Sequence, residues 1–343
     1  MKSDTDQGKS ASWRLFLGDP DRKGTPPITM PAAPPWRQPR APHELAVEYD
    51  GKRGDLSPAT LQRGAAYQAT PEIVQMVNAA LHLRRPLLVT GAPGTGKSSL
   101  IDAVAVELGL GEPLRWPVNS RSTLQEALYN YDAIGRAQHR AHATGSSDGL
   151  KDEDFIELGP LGTALVPATR PRPLLIDEMD KADIDLANDL LNVLEEGQFH
   201  IRELSRMAGD SYKVRMFGST ERVTVAKGRV ERHEFPLLII TSNGERSFPP
   251  AFLRRCLQIT MPDPGGDVQR LSRIVEAQLG EHIASQAGAI IDGFVQKSIA
   301  GETVATDQLL NAIQLVFASP GMTEVERATM VERLTISLAG APQ

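Results

Sequence analysis

Eight consecutive residues, Gly91-Ala92-Pro93-Gly94-Thr95-Gly96-Lys97-Ser98, have the types and spacing of a phosphate-gripping loop. Phosphate oxygens need donors that can close around them, and glycines leave no side chain in the way. The backbone N–H groups of 94–98 then point inward at the start of a helix, whose dipole favours anions. Lys97 would reach the β- and γ-phosphates, and the Ser98 hydroxyl would ligate Mg²⁺, with Ser99 leading into the helix. A second set, Leu174-Leu175-Ile176-Asp177-Glu178, ends an apolar run in two carboxylates. Asp177 would hold the metal and Glu178 would activate a water, their directions separated by strand alternation.

A third run, Leu237-Leu238-Ile239-Ile240-Thr241-Ser242-Asn243, also turns polar at its end. Between the two runs above, Asn243 could hold the attacking water or the terminal phosphate; an Asx turn opening a loop is the alternative. Soon after comes Pro249-Pro250-Ala251-Phe252-Leu253-Arg254-Arg255-Cys256. The two arginines could be solvated, could pair with acids, or could be donated to a neighbouring molecule's phosphates.

These groups need a scaffold that brings several strand ends together. Pro71-Glu72 opens a helical pattern through Leu83, and Pro86–Thr90 is a short apolar run leading into the glycine loop. A helix is expected from Ser98 to Leu108, with Gly109 as its stop. Further strand-like runs cover 114–118, 174–176, 237–240 and 257–261. All are short and apolar without clean alternation, as in parallel strands covered on both faces. Strands alternating with helices imply a doubly wound α/β domain. Residues 267–340 instead read as about four helices, broken near Gly280, Gly301 and Pro320-Gly321.

Composition bounds the rest. The chain has 343 residues and a net charge of -6, and 5% of its residues are aromatic. These values argue against a dedicated nucleic-acid binder, which needs phosphate neutralisation and stacking platforms. Cys256 is the single cysteine, which excludes an intrachain disulfide, and the seven histidines lack zinc-protease spacing. There is no apolar run of membrane length and no leader-like N-terminus, so the expectation is a soluble, cytoplasmic protein. Eight prolines fall within the first 42 residues and disfavour regular structure there. Trp13 and Trp36 sit in that stretch, so part of it should dock on its own core or on a neighbouring subunit.

Taken in order, GAPGTGKS, LLIDE, LLIITSN and PPAFLRRC resemble an AAA+ ATPase, and more narrowly the bacterial MoxR-type members that work beside von Willebrand factor A-domain proteins. The likeness spans about residues 60–340. It implies an α/β fold: a P-loop AAA+ core with a central parallel sheet, followed by a small all-α lid domain. The expected division is a proline-rich arm (1–64), the nucleotide-binding domain (65–264) and the lid (265–343). Inserted hairpin regions are expected at about 121–170, including FIELGPLGTALVP at 155–167, and at 197–233. The second insertion holds eight Lys/Arg against four acids, and its face would engage a client.

Carried over by position, 91–98 are the Walker A loop and Asp177 and Glu178 the Walker B pair. Asn243 is sensor 1, Arg255 the arginine finger with Arg254 as alternative, and Tyr67 lies near the adenine. ATP and Mg²⁺ are the implied cofactors. The implied partners are further copies in a ring of six and a client or von Willebrand factor A-domain protein, and the implied setting is a bacterial conflict or defence system. One departure stands out: no arginine occurs between Arg273 and Arg327, and Gln308 falls where a lid arginine is expected. The rival readings are an assembly switch with little turnover and a DNA-acting machine.

Overall fold

The computed structural model describes residues 13–22, 28–50, 55–142, 150–302, 304–319 and 321–337. Pro26, Pro27 and Pro320 lie outside them. In chain order the first elements are α1 (His43–Asp50), α2 (Pro58–Ala66), α3 (Pro71–Leu83), β1 (Leu87–Thr90), α4 (Leu100–Leu108) and β2 (Leu114–Pro117). Next come α5 (Leu124–Leu128), β3 (Tyr129–Tyr131), α6 (Ala133–His142), β4 (Ile156–Leu158), α7 (Pro160–Ala164), β5 (Pro173–Asp177) and α8 (Ile184–Glu196). They are followed by β6 (Gln198–His200), α9 (Arg202–Ser205), β7 (Ser211–Arg215), β8 (Arg222–Ala226), β9 (Arg229–Glu231), β10 (Leu237–Ser242), α10 (Pro250–Leu253) and β11 (Leu257–Thr260). The lid has α11 (Val268–Leu279), α12 (Glu281–Gln286), α13 (Gly288–Ile299), α14 (Thr306–Ala318) and α15 (Glu324–Leu334). That is one helix more than the sequence suggests, because Gly280 and Ala287 divide its first half into three pieces.

The five expected strands form one parallel sheet in the order β11-β1-β10-β5-β2. All six residues of β10 are buried, as its unbroken apolar run requires for a central strand between helical layers. Its order places β1, β10 and β5 side by side, so the glycine loop, Asn243 and the Asp177-Glu178 pair emerge at one edge. Ligands of open α/β sheets bind outside these strand ends. The lid packs around its own apolar cluster, with Leu271, Phe294, Leu309 and Ile313 at its centre.

The second insertion contains an antiparallel hairpin, β7–β8, but it does not stand apart from the first. Segment 155–167 is a strand and a short helix, β4 and α7, rather than a hairpin of its own. β4 pairs antiparallel with β3 and parallel with β7 of the second insertion, giving a six-stranded sheet in the order β3-β4-β7-β8-β9-β6. In β7 and β8 the residues alternate, with Tyr212, Val214, Val223 and Val225 inward. The basic residues are partly spent internally: Arg222 pairs with Asp154, Arg229 with Glu231, and Arg232 is buried.

The arm departs from expectation in two ways. Helices α1 and α2 follow the 42 residues whose prolines disfavour regular structure, and α2, which crosses the expected end of the arm at 64, packs along α4 as part of the core. Residues 13–19 dock on the chain's own core, but through Phe16, with Trp13 half-exposed and Trp36 exposed. The N–H groups of Leu15 and Phe16 donate to Asn78 Oδ1, and those of Leu17, Gly18 and Asp19 to the buried Glu107 carboxylate. Extended chain with no sheet partner thus has its donors satisfied by side chains. No helix among the described residues is long and apolar enough to cross a membrane.

Candidate nucleotide-binding site

The glycine loop joins β1 to α4, and regular helix begins at Leu100, two residues later than the sequence suggests. Gly94 and Gly96 have φ of 76° and 84°, left-handed values that side-chain-bearing residues rarely take. A Cβ on Gly94 would lie 2.6 Å from the Ala305 Cβ, so the lid rests directly on the loop. Lys97 folds back on the loop, its Nζ donating to the Gly91 and Ala92 carbonyls at 2.8 Å each. Burial lowers its pKa, against the pull of Asp177, Asp180 and Glu178. Thr95 Oγ1 donates to the Ala92 carbonyl at 2.9 Å and braces the turn. Gly91 and Ala92 thus serve as backbone struts, while Pro93 to Ser99 line the cavity.

Ser98 Oγ donates to Asp177 Oδ1 at 2.8 Å, so the two expected metal ligands stand side by side. Paired hydroxyl and carboxylate oxygens suit Mg²⁺, which takes one or two protein oxygens and leaves its other positions to phosphate and water. Thr241 Oγ1, buried in β10, donates to the same Asp177 oxygen at 2.6 Å and accepts from the Glu178 N–H at 2.9 Å. Sequence inspection passed over Thr241. The signal was there, since a hydroxyl within a fully buried apolar strand needs a partner.

Glu178 is not separated from Asp177 by simple strand alternation. It lies past the end of β5 with φ of 58°, and this left-handed turn redirects its side chain. Its carboxylate takes a 2.6 Å ion pair from Lys181 Nζ, and this partner raises the Lys181 pKa. Asn243 lines the cavity with its side chain making no hydrogen bond among the described residues. The backbone N–H groups of Asn243 and Glu245 both donate to Asp180 Oδ2 at 3.0 Å. The buried Asp180 therefore anchors the loop that carries Asn243, a role with no signal in the sequence alone.

One cavity of about 410 Å³ joins these parts to the lid. Tyr67 lines it; the ring approaches within 3.5 Å of where a Gly96 Cβ would lie, and burial pushes its phenol pKa up. From the lid come Arg270, Ile274 and Gln278 of α11 and Thr306, Asp307 and Leu310 of α14. Gln308 does not occupy the place expected of a lid arginine. Its Oε1 accepts from the Ala305 N–H and its Nε2 donates to the Ile336 carbonyl, so it caps α14. The lid cation at the cavity is Arg270. Its Nη1 donates to the Pro262 carbonyl at 3.3 Å, and its buried Nε has no partner.

Arg254 and Arg255 lie outside this cavity. Arg255 pairs with an acid, one of the uses open to it from the sequence: it meets Glu195 and donates to the Ala251 carbonyl. The Arg254 side chain has no partner among the described residues. Arg85 steadies this turn, donating to the carbonyls of Arg254, Arg255 and Cys256. Cys256 is buried and its thiol pKa is pushed up to about 12, which fits a packing residue rather than a reactive one. Among the described residues no cluster of three His, Cys, Asp or Glu could hold a metal by itself.

Residues 86–256 match the family model of the AAA domain (dynein-related subfamily). No curated protein matches the chain. Among solved structures, NtrX from Brucella abortus in complex with ADP aligns at 15% identity and a TM-score of 0.36, over 84% of this chain and 56% of that one. The same protein in complex with ATP gives 15% and 0.36, over 88% and 59%. The chain thus spans less than two thirds of the length of those structures. With its five-stranded parallel sheet, glycine loop and helical lid, the chain carries an AAA+ fold, and its segment 86–256 is similar to the AAA domain of the dynein-related subfamily.

Proposed function

We propose that the protein hydrolyses ATP with Mg²⁺ between copies of itself arranged in a ring, and that the cycle remodels a partner protein. The observation that carries this reading is the convergence of Lys97, Ser98, Asp177, Glu178 and Asn243 on one lid-covered cavity. Lys97 would exchange two loop carbonyls for phosphate oxygens. Ser98 and Asp177 would hold the metal, which when bound offsets charge on the β- and γ-phosphates. Glu178, once free of Lys181, would take a proton from the attacking water, and Asn243 would orient that water. Arg255, outside its own subunit's cavity, would enter a neighbour's and stabilise charge on the transferred group. The remodelling role, and a client or von Willebrand factor A-domain partner, rest on the MoxR-type resemblance of LLIITSNGERSFPPAFLRRC.

A second reading has its own support. Glu178 is held by Lys181, and the lid sets Asp307 against the phosphate loop at Gly94, which favours a nucleotide-dependent assembly switch with little turnover. Steady-state phosphate release over a range of protein concentration separates the two. For hydrolysis, Lys97→Ala should fail to bind ATP, Glu178→Gln should bind and retain it, and Arg255→Ala should bind yet lose turnover by about 10³-fold or more. Absence of adenosine-nucleotide binding by folded wild-type protein in calorimetry would remove both readings.

A further inference from the structure

A second cavity, of about 430 Å³, lies at the end of the core sheet opposite the glycine loop. It sits where β2 and β5 begin, at Leu114 and Pro173, and is bordered by the turn at 216–219 that joins β7 to β8. The core sheet and the inserted sheet thus share it, and it has no lining residue in common with the nucleotide cavity. Leu110, Pro113, Leu114, Pro173, Met216 and Phe217 give it apolar walls. Among them stands Arg172, only 7% exposed. Its Nε is buried with no partner, and among the described residues its side chain makes one hydrogen bond, from Nη2 to the Tyr49 carbonyl at 3.4 Å. Burial lowers its pKa to about 10, with Asp50 opposing the shift and Arg170 adding to it. Asp50 is itself engaged, accepting from the Thr169 N–H and hydroxyl.

Two hydroxyls on the lining also have protons to give. Thr163 Oγ1 accepts from the Phe217 N–H at 2.9 Å and Ser219 Oγ from the Glu221 N–H at 3.0 Å, and among the described residues neither donates. The other charged groups on the lining are Asp55, Glu112 and Arg115. Arg115 pairs with Asp102. Glu112 accepts from the Ser57 N–H at 2.8 Å, Thr60 Oγ1 at 2.7 Å and Ser57 Oγ at 3.2 Å, and Asp55 is exposed. Arg172 is therefore the one buried charge of the lining without an ionised partner among the described residues. A buried guanidinium without a counter-ion is costly to hold, and apolar walls with a few polar groups are those of a small-molecule site. We propose that this cavity binds an apolar monocarboxylate, with its carboxylate on Arg172 and its hydrocarbon body against Phe217, Met216 and Leu114. One unpaired cation matches one negative charge, and Asp55 and Glu112 on the same lining disfavour a dianion such as a phosphate ester. The Thr163 and Ser219 hydroxyls add donors for a head group made only of acceptors.

The experiment is calorimetry and thermal unfolding of the full chain with phenylbutyrate, with its uncharged amide, and with a short peptide ending in phenylalanine whose terminus is free or amidated. Wild type should bind the acid and be stabilised by it, and should ignore the amide. Arg172→Met removes a lone buried charge at nearly constant volume, so its melting temperature should equal or exceed that of wild type while acid binding weakens by about tenfold or more. Phe217→Ala, on an exposed turn, should fold normally and weaken binding by about threefold to tenfold through lost apolar contact. This second variant and the acid–amide comparison decide the matter if Arg172→Met fails to fold. Binding of the free peptide terminus alone would assign the same chemistry to a chain end, whereas binding of phenylbutyrate assigns it to a small acid. Equal binding of acid and amide, wild-type affinity in Arg172→Met, or no binding of either acid at millimolar concentration would overturn the proposal.

Discussion

Thr241 shows how much of the site depends on one hydroxyl. It donates to Asp177 and accepts from the Glu178 N–H, so it sets the spacing of the proposed metal ligand and the carboxylate proposed to activate water. Thr241→Val keeps the shape and removes both bonds. The expected cost to stability is about 1–3 kcal/mol from unpaired buried groups, with a larger proportional loss of turnover than of ATP affinity. Thr241→Ser should restore turnover, because it returns the hydroxyl without the methyl. A valine variant with wild-type turnover would show that Ser98 alone orients Asp177. The glycine loop and the Asp177-Glu178 pair were legible in the sequence because their geometry is local. That Thr241 needs a partner was legible too, but which partner it takes was not, nor was the role of Asp180, since the groups they bond lie 63 or more residues away and meet them only when β5 and β10 pair.

At the scale of elements, the lid is where reading the chain alone went furthest astray. A search for an arginine at the start of α14 overlooks Arg270 on α11, where Arg270, Ile274 and Gln278 recur every four residues and face the cavity as one stripe. Register, not composition, decides this: Gln308 turns to cap its own helix while Asp307 faces the phosphate loop. Arg270 lies on the Tyr67 side of the cavity, and Asp307 by the loop at Gly94. Arg270→Ala should therefore weaken ADP and ATP alike, by about tenfold from a lost charged hydrogen bond. Asp307→Asn should favour ATP over ADP by roughly threefold or more through relief of like-charge repulsion. Fluorescent-nucleotide titrations of both variants test this, and the opposite pattern would exchange the two assignments. The inserted sheet was illegible for a related reason. Its β4–β7 join links the two insertions, and nothing in either segment alone announces a partner in the other.

For the whole molecule, the question is what holds Arg255 before a neighbour arrives. Its ion pair with Glu195 is about 40% exposed on both sides (39% and 43%), and solvent screens such a pair to little net stability. The pair holds Glu195 below the ordinary glutamate range, so it stays charged at neutral pH. A contact this weak would park the arginine without locking it, and in the proposed ring the triphosphate of a second copy would outcompete one carboxylate. Glu195→Gln should then lower the protein concentration for half-maximal turnover by at most about fivefold, with the plateau unchanged. Salt should act more strongly, because in the proposed ring an exposed arginine would meet a neighbour's charged phosphates. Raising ionic strength from about 0.1 M to about 1 M shortens screening from ~10 Å to ~3 Å, which should suppress turnover at limiting protein far more than at saturating protein. If Glu195→Gln instead abolishes the plateau, Glu195 aims the arginine into the neighbouring cavity, and the resting pair is part of the working geometry rather than a parking place.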